Sequence, residues 1–175
     1  NIKTITFTGL CSALLCILSP ISIPIGPVPV SLSVLAVALC AYIPIESGAL
    51  WPIVIYILLG LVGLPVFSGY SGGAAKLFGP TGGYILGYIP MVIIAHFFIT
   101  RFSSRRRWMQ FIGLILGLLS CYVCGSLWFM ALGHMSFYET LSICVFPFVA
   151  IDILKLLSAF FLGNAVRNAL VTVYS

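Results

Sequence analysis

An acidic and a basic residue inside an apolar segment are the first feature of this sequence that could do chemistry. Asp152 and Lys155 lie three positions apart in FPFVAIDILKLLSAFF, so in a helix they would share one face and partly neutralise each other. Pro147 is expected to begin the regular helix, which puts both charges in its first two turns, near one end. A charge within an apolar helix costs about 2.5–3.5 kcal/mol on insertion scales and therefore indicates a functional site. The alternative is a self-neutralising structural pair.

The second such feature is the glycine-rich stretch FSGYSGGAAKLFGPTGG, residues 67–83, in which Lys76 is the only charge. Glycine-rich loops often cradle phosphates, but neither GxxxxGK[ST] nor GxGxxG occurs here, so the stretch is not a nucleotide loop. Pro80 and Thr81 are typical of a helix start, with Thr81 as the N-cap. The backbone N–H groups at such a start suit an anionic ligand group. A tight loop that re-enters the bilayer is the alternative interpretation.

The composition indicates an integral membrane protein, in which both features lie among apolar segments. Of the 175 residues, 62% are hydrophobic and only 6% are charged, more apolar surface than a soluble domain of this size can bury. Long uncharged intervals lie between Lys3 and Glu46, Glu46 and Lys76, Lys76 and Arg101, and Arg107 and Glu139. Each interval can hold a membrane helix of about 20 residues, and the first can hold two shorter ones.

Six transmembrane helices are predicted, within one all-α domain that covers residues 1–175. The second span is short and the third contains Pro52, so tilt or irregularity is expected there. The first span is interpreted as a retained helix because no small-x-small cleavage pattern follows it. The predicted spans are residues 4–19, 31–43, 47–63, 81–100, 108–133 and 146–171.

The orientation follows from RFSSRRR, residues 101–107, between the fourth and fifth spans. Four arginines in a short loop indicate the cytoplasmic side. Both termini are then cytoplasmic, in agreement with Lys3 and Arg167. The loops after the first, third and fifth spans would face outward, including the proline-rich segment 20–30 and the glycine-rich stretch.

The remaining reactive residues do not form a catalytic or metal-binding pattern. The six cysteines all fall in apolar segments, and the single CxxC, Cys121 and Cys124, is best explained by packing. His96 and His134 are isolated, as is Glu139 in its loop. The net charge of +5 comes largely from the arginine loop and does not suggest nucleic acid. The sequence therefore predicts neither an enzyme nor a protein with a cofactor.

Four segments stand out between residues 23 and 155, in this order: IPIGPVPVSL, YILLGLVGLPVFSGYSGG, GPTGGYILGY and FPFVAIDILK. Together they resemble the BioY family, the biotin-specific S components of energy-coupling-factor (ECF) vitamin transporters. GLPVF, GPTGGY and the late D-x-x-K are much more specific together than singly. Two departures concern the pocket: Ser33 stands where the family suggests glutamine, and Gly69-Tyr70 stands where it has two glycines.

The resemblance implies a six-helix S-component fold in a prokaryotic cell membrane, surrounded by lipid, that captures biotin from outside. Release inward would require a transmembrane coupling subunit and two ABC-type ATPases, since this chain has no Walker motif. Asp152 would accept the ureido N–H groups, and Lys155, Lys76 or the helix start at 81–83 would hold the biotin carboxylate. The candidate substrate-binding residues are Pro29, Ser33, Phe67, Tyr70, Ser71, Gly72, Thr81, Gly82, Tyr84, Trp128, Asp152 and Lys155.

Two other functions remain open at the level of the sequence. The chain could be an S component for another small vitamin, or a stand-alone ion-coupled carrier with Asp152 as its proton site. Gly9 and Ala13 form a small-residue face on the first span, and such faces let helices approach closely in lipid. The family resemblance implies that this face docks on the coupling subunit; packing within the chain's own bundle is the alternative.

Overall fold

The computed structural model describes residues 2–24, 28–43, 49–102 and 106–174, with side chains as far as residue 170. Within these ranges the chain is mainly helical. The helices are α1 (Ile2–Leu18), α2 (Ser33–Tyr42), α3 (Leu50–Val62), α4 (Ala74–Leu77), α5 (Gly82–Arg101), α6 (Arg107–Gly133), α7 (Phe137–Cys144) and α8 (Phe146–Tyr174). Two short strands, β1 (Ser22–Ile23) and β2 (Val30–Ser31), pair antiparallel between α1 and α2.

Each predicted span corresponds to one helix, but only part of the six-span prediction is confirmed. Three of the described helices, α5, α6 and α8, are long and apolar enough to cross a membrane. The other three apolar helices, α1, α2 and α3, have only 17, 10 and 13 residues. At 1.5 Å per residue, α2 covers about 15 Å, roughly half the hydrocarbon thickness. The small sheet and the short helices α4 and α7 were not predicted.

Prolines and glycines explain several helix boundaries. α1 ends at Leu18, two residues before Pro20, and Pro52 falls in the first turn of α3, where its missing N–H costs nothing. Gly63 ends α3 with φ +110°, a left-handed conformation that glycine adopts without strain.

The helices pack through small residues. α5 and α6 form the most extensive pair: a Cβ on Gly117 would lie 2.7 Å from the Met91 carbonyl oxygen, and one on Gly87 would lie 3.1 Å from the Cys121 backbone. Such glycines let two helix backbones approach closely. α2 is buried along most of its length and contacts both α8 and α5, so it forms the centre of the bundle.

The bundle has two chemically different ends. At one end, Arg167 of α8 donates a hydrogen bond to the Ile99 carbonyl oxygen (2.6 Å), next to the arginines that flank the α5–α6 connection. At the other end, the Gly69 amide donates to the Pro20 carbonyl oxygen (3.1 Å), which joins the loops after α3 and α1. The candidate site lies at this second end.

Candidate functional site

The buried charge pair predicted on the last helix is present, and it has a third member. Lys155 Nζ and Asp152 Oδ1 are 2.7 Å apart, with about 5% and 8% of Asp152 and Lys155 exposed. Tyr122 of α6 donates its hydroxyl hydrogen to Asp152 Oδ2 at 2.6 Å. Lys155 Nζ also donates to the Ser31 carbonyl oxygen at 2.7 Å. Both carboxylate oxygens therefore have a donor, and the pair ties together α8, α6 and β2.

A narrow cavity lies against this pair, in contact with the first loop. Pro29 and Tyr84, two of the predicted site residues, line it together with Asp152 and Lys155. Its remaining walls are mainly apolar or aromatic and come from five helices, β2 and the first loop; they include Val34, Tyr88, Cys121, Tyr122 and Phe148. An ion pair in an otherwise apolar cavity gives strong and directional hydrogen bonds to a polar ligand group, because water does not compete for them.

A second, smaller cavity adjoins the first and shares Pro29, Ser31, Tyr84 and Tyr88 with it. Ser33 lines this second cavity and shares a hydrogen bond of 2.6 Å with the Tyr88 hydroxyl. Ser33 Oγ also contacts Ser31 Oγ. The hydroxyl groups of Ser31, Ser33 and Tyr88 thus lie between the charge pair and the second cavity.

Thr81 also lines the second cavity. It is at the N-cap position of α5, as predicted, but its side chain makes no capping hydrogen bond. Its Oγ1 is buried and has no hydrogen-bond partner among the described residues. Gly82 and Trp128 fix the loop before it: a Cβ on Gly82 would lie 1.7 Å from the Leu77 carbonyl oxygen, and Trp128 Nε1 donates to the Gly79 carbonyl oxygen at 3.0 Å.

Several predicted site residues lie outside both cavities. Phe67 is fully buried but packs edge-on against Tyr56, over the space left by Gly60. Tyr70 is 69% exposed and has φ +54°. The other two, Ser71 and Gly72, shape the turn: Ser71 Oγ donates to the Ser68 carbonyl oxygen at 2.8 Å, and Gly72 passes closely over the Leu64 backbone. The structure thus places Phe67 in the core and Tyr70 at the surface, and Trp128 in support of the loop.

The isolated histidine of α5 has a structural partner. His96 Nδ1 donates to the Ala41 carbonyl oxygen at the end of α2, at 2.9 Å. Among the described residues, no three histidine, cysteine or acidic side chains come together as a metal site would need.

The small-residue face of α1 is exposed. Gly9 and Ala13 both lie on the surface, and no described residue approaches within 4 Å of the position that a Cβ on Gly9 would take. Ser12, by contrast, points inward and donates to the Pro52 carbonyl oxygen of α3 at 3.3 Å. Among the described residues nothing packs against the Gly9 position, and docking of this face on a partner stays a prediction.

Apolar helices around a buried, charged cavity define a membrane-embedded protein that binds a small molecule. The chain belongs to the BioY family, whose family model matches residues 1–172. This confirms the resemblance seen in the sequence.

Relatives and a solved structure match over nearly the whole chain. Biotin transporter BioY2 of Lactococcus lactis is 35% identical over 97% of this chain and 93% of its own length. A probable biotin transporter BioY of Pyrococcus horikoshii is 32% identical over 95% of this chain and 97% of its own. The crystal structure of the S-component for biotin from an ECF-type ABC transporter superposes with a TM-score of 0.87 at 25% identity, covering 95% of this chain and 92% of that one.

Proposed function

We propose that this protein takes up biotin, as the substrate-binding S component of an ECF transporter rather than as an enzyme. Family membership, the biotin transporters among its relatives and the similar biotin S-component support this function. The observation that carries it is the buried Asp152, hydrogen-bonded by Lys155 and Tyr122 at the edge of a cavity.

The proposed contacts follow from the chemistry of biotin. Its ureido ring has two N–H donors, which the remaining lone pairs of the Asp152 carboxylate accept. Its sulfur ring and alkyl chain are apolar and pack against the aromatic walls, Tyr84 and Phe148 among them. The cavity, about 50 Å³, has room for only a few water molecules. The residues that line the cavity must therefore move apart when biotin enters.

The proposed topology has six crossing helices in one domain, with both termini in the cytoplasm of a prokaryotic cell. The arginine-rich end of the bundle faces inward under the positive-inside rule, and the cavity then faces outward. The exposed apolar side chains, such as Leu119, Leu127 and Phe161, contact lipid.

The proposed partners are a transmembrane coupling subunit and two ABC-type ATPases. The exposed Gly9–Ala13 face supports docking, because it leaves room for another helix backbone. A shallow groove continues this face across Thr8 to Trp51 and Ile55 of α3. The proposed function needs no cofactor.

The direct experiment is a binding titration of biotin to the purified chain, with no ATPase present, alongside thiamine and riboflavin. Saturable binding of biotin, without binding of thiamine or riboflavin, supports the proposal. Selective binding of another vitamin would assign the S-component role to that ligand. Proton-dependent transport of biotin by the chain alone, in vesicles, would indicate the ion-coupled carrier instead.

A further inference from the structure

The biotin carboxylate needs a partner, and the structure distinguishes the three candidates in the sequence. The Lys155 ammonium already binds the Asp152 carboxylate and the Ser31 carbonyl oxygen, both at 2.7 Å. A ligand carboxylate at Lys155 would compete with the carboxylate that the ureido group needs. Lys76 lies on α4 and lines neither of the two cavities.

The second cavity has the chemistry of an anion site without a cation. Most of its lining residues carry hydroxyl groups, among them Tyr56, Ser68 and Thr81, and none of its described lining residues is charged. A hydroxyl that donates to a carboxylate forms a short, charge-assisted hydrogen bond, which is stronger than one between neutral groups. The shared residues Pro29 and Tyr84 place this cavity directly beside the one at Asp152.

Thr81 brings to this cavity a buried hydroxyl that the fold leaves without a partner. The residue is 7% exposed, and its Oγ1 has no partner among the described residues. A buried hydroxyl without a partner costs about 1–3 kcal/mol unless a ligand or water satisfies it. Thr81 also begins α5, a helix of 20 residues, so the positive end of the helix dipole adds to the attraction for an anion.

We infer that the second cavity binds the carboxylate end of the ligand, with Thr81 Oγ1 as its hydrogen-bond donor, while Asp152 binds the ureido end. This inference rests on the proposed function. Biotin would then lie between α8 and the start of α5, with its alkyl chain against Pro29 and Tyr84.

The test compares biotin with biotin methyl ester, which has the same ring system and a neutral tail. Thr81→Val keeps the shape of the side chain and removes its hydroxyl. We expect it to weaken biotin binding about ten-fold or more, the loss of one charge-assisted bond, while the affinity for the ester stays within about two-fold. Thr81→Ser restores the donor and should recover the preference for biotin over the ester.

Two control variants make the result specific. Thr100→Val is the same substitution at the opposite end of α5, where the hydroxyl donates only to carbonyl oxygens of its own helix, and it should leave both affinities unchanged. Lys76→Met tests the competing cation and should also preserve the preference for biotin.

Three results would overturn the inference. They are an unchanged preference in Thr81→Val, an equal loss of affinity for both ligands, and a loss of the preference in Lys76→Met. In each of these three cases the unmodified protein would still bind biotin. Failure of the proposed function would instead appear as no biotin binding by the unmodified protein.

Discussion

The Tyr122 hydroxyl and the Asp152 carboxylate are 2.6 Å apart and join α6 to α8 inside the bundle. Both residues line the first cavity. Tyr122 thus holds one carboxylate oxygen while Lys155 holds the other, and the plane of the carboxylate is fixed before a ligand arrives. A fixed acceptor lowers the ordering cost of ligand binding.

Tyr122→Phe should therefore destabilise the ligand-free protein by about 1.5–3 kcal/mol, the usual contribution of a hydrogen bond to a charged group. The effect should shrink in an Asp152→Asn background, because the asparagine carries no charge. Denaturant unfolding of the two single variants and the double variant measures this coupling. Tyr138→Phe, at a tyrosine that is 82% exposed, is the control. An equal cost of Tyr122→Phe in both backgrounds would assign Tyr122 to packing alone.

Asp152→Asn should weaken biotin binding roughly ten- to a hundred-fold or beyond, because it keeps the shape but loses the ionic acceptor in a dry site. Lys155→Ala should also weaken binding, since it leaves Asp152 without its cation. Titration of biotin into each purified variant measures the effect.

Glu139→Gln is the matched control for Asp152→Asn, because Glu139 is exposed and lies outside the cavity. Its affinity for biotin should equal that of the unmodified protein. Normal biotin binding by a folded Asp152→Asn protein would mean that the charge pair is structural.

Glu139 supports a separate prediction about pH. Its carboxylate accepts hydrogen bonds from the Ser136 hydroxyl (2.8 Å) and the Ser136 amide (2.9 Å) in a capping box at the start of α7. These bonds hold the pKa of Glu139 below its ordinary value of 4.5, the Ser136 hydroxyl contributing most. A lowered pKa in the folded state stabilises the protein at pH values above the ordinary value, and this contribution is lost as the pH falls through the folded pKa.

The melting temperature of the unmodified protein should thus exceed that of Glu139→Gln at neutral pH, and the difference should vanish in acid. Thermal unfolding of both proteins across this range provides the measurement. A difference that stays constant down to full protonation of the carboxylate would contradict the role of its charge.

The local part of the site could be predicted from the sequence, whereas the tertiary part could not. Asp152 and Lys155 were predictable as a pair because an i, i+3 spacing in a helix fixes their separation. Tyr122 was not predicted, because its contact depends on how α6 packs against α8. Phe67 and Tyr70 had the residue types of a pocket wall, but the turn at 68–71 directs Phe67 into the core and leaves Tyr70 at the surface.

The helices, too, could be predicted from the sequence only in part. The long uncharged intervals predict where α5 and α6 lie, because only a continuous apolar helix can cross lipid at low cost. The ten-residue length of α2 depends on the small sheet that takes up Val30 and Ser31 before it. Pairing of two short strands across a loop leaves little trace in the hydrophobic pattern.

The orientation of the bundle can be measured by cysteine labelling in intact cells, in a variant without the six native cysteines. We expect Ser71→Cys to react with an impermeant reagent from outside and Ser104→Cys to be protected, because residues 101–107 carry the arginines that the positive-inside rule assigns to the cytoplasmic side. Residue 104 lies outside the described residues, so this prediction rests on the sequence. The reverse labelling pattern would overturn both the topology and an outward-facing cavity.

The last prediction concerns the exposed face of α1. Gly9→Leu combined with Ala13→Leu fills the space above this face with two large side chains, which would hold a partner helix away from the α1 backbone. The double variant should bind biotin as the unmodified protein does, since neither residue lines a cavity at the site. It should fail to copurify with the coupling subunit and should lose ATP-driven uptake.

Ala131→Leu combined with Ser158→Leu is the matched control, because it makes the same change at exposed positions of α6 and α8. This control should bind biotin and copurify normally. Copurification of the Gly9 and Ala13 double variant at the normal level would place the docking surface elsewhere. If both double variants failed to copurify, the loss would reflect added bulk anywhere on the lipid-facing surface rather than a contact made by α1.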